Sequence, residues 1–498
     1  MDKTKKKIVI VGAGPGGLTA GLLLAAKGFD VEIFEKADRP GGRNSHIDLS
    51  GHKFDVGPTF LMMKYVLDEI FKLAGERTDD HLKLTRLSPM YRLFFEHDYI
   101  DVHEEKGKMM AELDRVFPGE GENLKKFQER EERRFKKLMP CLTKDYSSLS
   151  SFLTKRFIEA IPHFSLGKSL YGVLGDYFKT PETRICFTFQ SKYIGMSPWR
   201  CPGAFGMIPY VEHVFGIYHV EGGLSRISEV MADLFIKKGG RINYDSPVKQ
   251  LIFKGKKAVG LELSDGSKIE ADKIIVNSDF AYSAVNLMPK GVLPKYSAKK
   301  LAKKDYSCST IMFYWGIKGG YELPHHSVFF AKNYRKNVDD MFSGKLSGRD
   351  ISFYVRNASF TDRTVSPEGK SQLYILVPCP NKKLGAKINW EKESRNIRQA
   401  VIERLKDRMD FDDIEERIET EKVITPDDWT NEYNVHYGAT FNLSHRLLQM
   451  LWFRPRNRLE GVKNVYLVGG GTHPGSGLPT IYESGRISAE LLEKDLLK

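Results

Sequence analysis

Residues 6–36 combine a hydrophobic strand, a glycine turn, an Ala/Leu-rich helix and a second strand that ends in an acid, and few folds accept that succession. The turn Gly12-Ala13-Gly14-Pro15-Gly16-Gly17 fits G-x-G-x-x-G, and Glu35 closes the following strand. Each position has a physical reason in a dinucleotide site. Gly12 permits a tight turn, Gly14 lets the backbone approach a pyrophosphate, Gly17 lets helix and strand pack closely, and Glu35 accepts ribose hydroxyls. The helix N-terminus adds free N–H groups and the positive end of its dipole. The basic run Lys3 to Lys7 before the uncharged stretch Ile8 to Ala26 has the look of a secretory leader. That stretch, however, holds five glycines and a proline and runs straight into a second strand, as a strand–turn–helix–strand unit requires and a leader does not.

The same alternation returns later. Leu224 to Ile236 reads as a helix opened by Gly222-Gly223. Arg241 to Asn243, Val248 to Phe253 and Lys273 to Val276 read as strands, and Val259 to Ala271 as a hairpin turning at Asp265-Gly266. Residues 310–316 and 371–377 are rich in strand formers. Residues 464–468 are a strand, followed by a glycine-rich loop and a helix expected from about Ser484. Different material lies between. Residues 110–140 are helical and charged, and Glu129 to Arg134 read as a solvated helix face. Residues 147–179 carry an apolar stripe with basic flanks, which suits either a core-facing helix pair or a helix lying in a membrane interface. The fold class expected is α/β: a discontinuous Rossmann-type FAD-binding domain (1–80, 220–290 and 455–498) around an inserted α+β substrate domain (81–219 and 291–454) with a helical, membrane-associated part.

The fingerprint alone does not separate NAD from FAD. Arg39-Pro40-Gly41-Gly42-Arg43, running on from the acid-bearing strand, resembles the second element of glutathione-reductase-type FAD flavoproteins. The C-terminal Gly469-Gly470-Gly471-Thr472-His473-Pro474-Gly475 with Pro479 offers backbone amides for the flavin end of an extended cofactor. With Asp55-Val56-Gly57-Pro58, Val214-Phe215-Gly216-Ile217, Pro324-His325-His326, Ser366-Pro367-Glu368-Gly369-Lys370 and Trp452-Phe453-Arg454-Pro455, these motifs resemble bacterial carotenoid (phytoene) desaturases over nearly the whole chain. The resemblance implies FAD, with Gly12, Gly14, Gly17, Glu35 and Arg43 on its ADP half and Gly16, Lys36 and Gly42 counted among the contacts. It further implies Val248 backbone at the adenine, Gly57 and Pro58 near the flavin, and Gly471, Pro479 and Thr480 at the ribityl and flavin part. The segment Thr480 to Arg486 is bulkier and more polar than in phytoene-converting members and is similar to the branch acting on hydroxylated carotenoids, the 1'-hydroxycarotenoid 3,4-desaturases. Tyr482 and Glu483 then either face into the protein or meet a polar group on the substrate.

Such an enzyme removes hydride and a proton from adjacent carbons of a long polyene, the flavin taking the hydride. No residue is assigned as catalytic; His436, His473, Glu483 and Arg454 are polar members of the flavin-side motifs. The same fold also carries polyene isomerases, amine oxidases and non-enzymatic prenyl-lipid carriers. Composition narrows the partners: 77 basic against 64 acidic residues give +13, without any zinc-finger or RNA-binding signature, so the excess suits an ordinary solvated surface or an anionic membrane surface, the partner expected here, before nucleic acid. Five scattered cysteines, none in a CxxC pair, argue against a metal site and suit a reducing cytoplasm. The expected location is the inner face of the cell membrane, with quinone or oxygen reoxidising the flavin.

Overall fold

The computed structural model describes residues 6–146, 148–409 and 411–497; Lys3 to Lys5 of the basic run, and Ser147, lie outside them. A five-stranded parallel sheet takes its strands from three separate stretches of chain. Its order is Val465–Leu467, Lys273–Val276, Lys7–Val11, Asp30–Phe34, Arg241–Asn243. Helix Pro15–Ala25 crosses from the central strand to its neighbour and is buried from Gly16 to Ala25, packed between helices Ser225–Lys237 and Leu478–Leu496. Contact on all sides explains why it carries no charged residue. A Cβ on Gly17 would stand 2.4 Å from the Gly12 carbonyl oxygen, so that glycine sets how closely helix and strand approach.

The second sheet is mixed and seven-stranded, in the order Ile418–Ile424, Ser309–Lys318, Lys370–Cys379, Phe353–Arg356, His326–Phe329, Tyr91–Phe94, Tyr99–Val102. Strand periodicity divides its residues cleanly. Ile311, Phe313, Trp315 and Ile317, with Leu373, Ile375 and Val377, pack against helix Trp390–Met409. Thr310 and Met312, with Tyr374, Leu376 and Pro378, line a large internal cavity on the other face.

A buried ion pair ties the second sheet, through Asp55 at the end of the short strand His52–Asp55, to helix Ser225–Lys237. Arg356 Nη1 donates to Asp55 Oδ2 at 2.6 Å, and the Asp55 carboxylate accepts the backbone N–H groups of Leu224 and Ser225, the start of helix Ser225–Lys237. His219 and His325 complete the guanidinium's surroundings at 3.2 and 3.3 Å.

Three expectations need correction. The helical stretch at 110–140 is two helices, Lys106–Val116 and Gly121–Leu142, and the latter is not solvated all round. Glu131 and Arg134 are fully buried and paired at 2.6 Å, and Arg134 also donates to the carbonyls of His163 and Gly203. Their charge anchors the helix to the segments beside it. The stretch 147–179, expected as a core-facing helix pair or an interfacial helix, forms short pieces among its described residues: Leu149–Leu153, Lys155–Ala160, Ile161–Phe164 and Leu170–Leu174. The last helix begins at Leu478, six residues before the expected Ser484, because Pro479 sits in a first turn where its missing N–H costs nothing.

Removing one partner of the buried pair strands the other charge, at about 3–5 kcal/mol. Glu131→Ala should therefore lower the melting temperature by several degrees, and Glu131→Leu with Arg134→Met should recover most of the loss. A single variant that melts like the unaltered protein would show that the pair is not buried.

Candidate functional site

Four chain segments leave the parallel sheet at its carboxyl edge, and each presents a polar or glycine residue there. Gly12 follows Val11, Glu35 follows Phe34, Asn277 follows Val276, and Gly469 lies two residues beyond Leu467. Ligands in open α/β sheets bind outside this edge. Asn277 organises it: its Nδ2 donates to the carbonyls of Gly12 at 2.9 Å and Gly14 at 3.1 Å, so the glycine turn wraps one amide group. Cβ atoms on Gly14 and Gly16 would stand 3.0 and 2.9 Å from that amide. The Glu35 carboxylate accepts from the backbone N–H of Ala13 at 2.7 Å and of Ala37 at 3.0 Å, which fixes it at the cavity wall with further lone pairs free.

The cavity beyond this edge has a volume of about 680 Å³ and two chemically distinct halves. Its polar half is lined by Gly12, Gly14, Glu35, Lys36, Gly42, Arg43, Gly57, Pro58, Val248, Gly471 and Pro479. Arg43 is half-buried there, donates to the Thr440 carbonyl and faces Asp279; desolvation pulls its pKa down while Asp279 pushes it back. Lys36 Nζ donates to the Glu432 carbonyl. Gly57 is held by Tyr374, whose hydroxyl donates to its carbonyl at 2.6 Å, and a Cβ there would meet the Arg43 carbonyl at 2.7 Å. Gly471 lies against Phe280 in the same way.

Not every expected contact reaches the cavity. Gly16 and Gly17 lie behind the turn, where they allow close packing on Asn277 and Gly12. Thr480 is turned aside, its hydroxyl donating to the carbonyls of Gly475 and Gly477. Tyr482 is packed in the core around the first helix, and Glu483 is buried against Arg486 at 2.6 Å, so neither meets a ligand. None of His436, His473, Glu483 and Arg454 lines the cavity. Arg454 is instead a clamp: fully buried, it donates to the carbonyls of Gly470, Thr472, Leu443 and Gln449, and burial lowers its pKa to about 9. His473, drawn down to about 4 by burial, bonds the Lys144 carbonyl.

The apolar half is walled by aromatic rings. Phe60 stacks on His326 at 4.2 Å and touches Tyr193 and Tyr354, and Phe189, Phe330 and Tyr334 continue the wall. The Tyr354 hydroxyl bonds His326 Nδ1 at 2.7 Å and Thr59 Oγ1 at 2.9 Å. Behind the wall, burial raises the Glu212 carboxyl to about 7, and Tyr91 and Gln190 each donate to it at 2.9 Å. Sequence reasoning missed Asn277, Asp279, Thr440, Asn442 and this wall. Only Asn277 had a readable signal, as a polar residue directly after a strand of the parallel set.

The residues present fit an extended dinucleotide. Thr440 Oγ1 and Asn442 Oδ1 line the cavity at its C-terminal glycine end and are buried without a protein partner, as groups awaiting a polar ligand are. The glycine edge, the fixed acid and these orphaned atoms lie along one continuous space.

Comparison with known proteins agrees. A family model described as flavin containing amine oxidoreductase matches residues 15–492. A 4,4'-diapophytoene desaturase (4,4'-diapolycopene-forming) of Methylomonas sp is 49% identical over 98% of this chain and 95% of its own length. A zeta-carotene-forming phytoene desaturase of Myxococcus xanthus is 36% identical over 98% and 94%. Among solved structures, a putrescine oxidase bound to putrescine aligns with a TM-score of 0.64 at 13% identity, covering 99% of each chain, and so shares the fold.

Asn277→Ala removes two hydrogen bonds, each worth about 1 kcal/mol. It should weaken retention of the dinucleotide about tenfold or more, and Gly14→Val or Glu35→Ala should weaken it further. Absorbance of desalted protein reads this directly; flavin retained in full by all three variants would refute this placement of the cofactor.

Proposed function

The chain belongs to the flavin containing amine oxidoreductases and, within them, to the bacterial carotenoid desaturases, and from that premise we propose that it introduces double bonds into an acyclic hydrocarbon polyene of the diapophytoene or phytoene type. It is an FAD-dependent oxidoreductase. The observation that carries the substrate reading is the single cavity that joins a glycine-lined polar edge to a long aromatic interior.

We assign the polar half to FAD: Gly12, Gly14, Glu35, Lys36, Gly42 and Arg43 along the ADP moiety, Val248 at the adenine, and Gly57, Pro58, Gly471 and Pro479 toward the flavin. Residues 1–80, 220–290 and 455–498 then form the FAD-binding domain, and 81–219 with 291–454 the substrate domain. Bound FAD supplies a hydride acceptor. The protein's own part is positioning and shielding. The aromatic wall keeps water from the polyene, and the ring faces of Phe60, Tyr193 and Tyr354 favour positive charge developing on it. Among the described lining residues the only carboxylates, Glu35 and Asp279, stand at the polar end, so the hydrocarbon meets no anion. The finer reading, a 1'-hydroxycarotenoid 3,4-desaturase, finds no contact in the cavity: Thr480 and Glu483 are bonded elsewhere and Tyr482 packs in the core around the first helix.

A membrane surface is the proposed source of so apolar a substrate. No described helix is long and apolar enough to cross a bilayer. Leu153 (78% exposed), Ile158, Ile161 and Leu166 project outward beside Leu447, Leu448 (74%) and Phe453, and the two segments meet where Phe152 contacts Trp452. Exposed Lys155, Arg156, Lys168 and Arg446 flank them, and each basic residue near an anionic leaflet contributes about 1 kcal/mol. Cytoplasmic placement at the inner face, and quinone or oxygen as acceptor, complete the proposal.

Incubating the FAD-loaded protein with acyclic carotenes in liposomes should give products lighter by two hydrogens per new bond. Products of unchanged mass would instead mark an isomerase. Leu153→Asp with Leu448→Asp should leave the protein in the supernatant when anionic liposomes are floated; equal recovery of both proteins with the vesicles would remove this patch as the docking surface.

A further inference from the structure

Among the described residues that line the aromatic half of the cavity there is one lysine, Lys192, from the short segment Phe189–Ile194. Its Nζ is buried and has no hydrogen-bond partner. It rests 5.4 Å from the centre of the Phe342 ring. Among the described residues no carboxylate acts on it; the titratable group that does is the Cys308 thiol, which burial itself raises to about 11. The tyrosines Tyr193 and Tyr334 line the cavity nearby and are likewise pushed upward by burial, so no anion faces the amine at neutral pH. A buried ammonium without a counter-ion is unfavourable, and burial accordingly draws Lys192 down to about 8.

A hydrocarbon tunnel has no use for a cation, but a neutral amine turned into it is a nucleophile. At pH 7 a group titrating near 8 is about one-tenth unprotonated, about 300-fold more than a lysine at its ordinary value. No hydrogen bond ties the head group back, so turning it from Phe342 into the cavity breaks none. We propose that Lys192 captures the aldehyde end of an oxidised polyene as an imine. The Nζ lone pair adds to the carbonyl carbon, protons pass from nitrogen to oxygen, and water leaves as the C=N bond forms; nothing is oxidised or reduced. The apolar wall then slows the return of water. A carboxylate end-group would call for a charged partner and an alcohol would not need a free lone pair, so the unpaired, desolvated amine selects the carbonyl. Aldehydes made from the desaturated chain by a later terminal oxidation would thereby occupy the tunnel and hold the enzyme back.

This inference rests on the cavity being a polyene tunnel, and the two can fail separately. The FAD-loaded full chain is incubated with all-trans-retinal as the probe, trapped with cyanoborohydride and mapped by mass spectrometry. The expected result is one adduct per chain on Lys192, with capture rising as pH passes from 7 to 9, lost in Lys192→Arg and Lys192→Met, and prevented by an excess of acyclic hydrocarbon carotene. Flavin content reports whether each variant is folded, and the mapping of unaltered protein stands without them. Adducts spread over surface lysines, or unchanged in Lys192→Arg, overturn the capture site while the carotene still binds by fluorescence quenching. Failure of the carotene itself to bind overturns the tunnel reading, and the capture site with it.

Discussion

The carboxyl edge of the parallel sheet is the constraint on which the rest depends. Three of its strands run straight into Gly12, Glu35 and Asn277, and the Asn277 amide fastens the glycine turn to the end of the neighbouring strand. Those two bonds let a turn of small residues hold one shape at the start of helix Pro15–Ala25, where a helix N-terminus suits an anion. The C-terminal glycine loop is fixed by different means: Arg454 spends its donors on four carbonyls and so cannot act in chemistry, but it delivers Gly470 and Gly471 to the same space.

The second sheet extends that edge into a cavity with an aromatic half. Its strands alternate, one face closing a core with helix Trp390–Met409 and the other flooring the cavity. The Asp55–Arg356 pair ties the second sheet to the start of helix Ser225–Lys237, which packs against the helix that opens at the glycine turn. A buried pair of this kind contributes orientation more than net stability. Here the orientation matters, because Thr59 and Phe60, four and five residues on, stand at the boundary between the polar and aromatic halves.

What was legible in the sequence was local. The glycine turn, Glu35 at a strand end and the hairpin near Asp265-Gly266 follow from spacing and turn chemistry within about 30 residues. What was hidden was either non-local or contrary to surface expectation. Glu131 and Arg134 look solvated in a run of charge and become buried only because His163 and Gly203 approach from other segments. Tyr482 and Glu483 follow the glycine loop in sequence, but a helix that begins at Leu478 rotates them into the core and onto Arg486. The aromatic wall draws on residues from 60 to 354, which no sequence window joins, and Lys192 is unremarkable until the absence of an acid beside it is seen.

The central claim is that the polar and aromatic halves of one cavity act together, so that hydrogen leaving a polyene arrives on the flavin. Anaerobic mixing of the FAD-loaded protein with an acyclic carotene in liposomes measures this in a single turnover. The account predicts loss of oxidised-flavin absorbance together with an equal amount of longer-conjugated polyene, both slowed alike by a bulky substitution at the wall such as Thr59→Phe. A polyene spectrum that changes while the flavin stays oxidised, or a flavin bleached with no new conjugation, would contradict it.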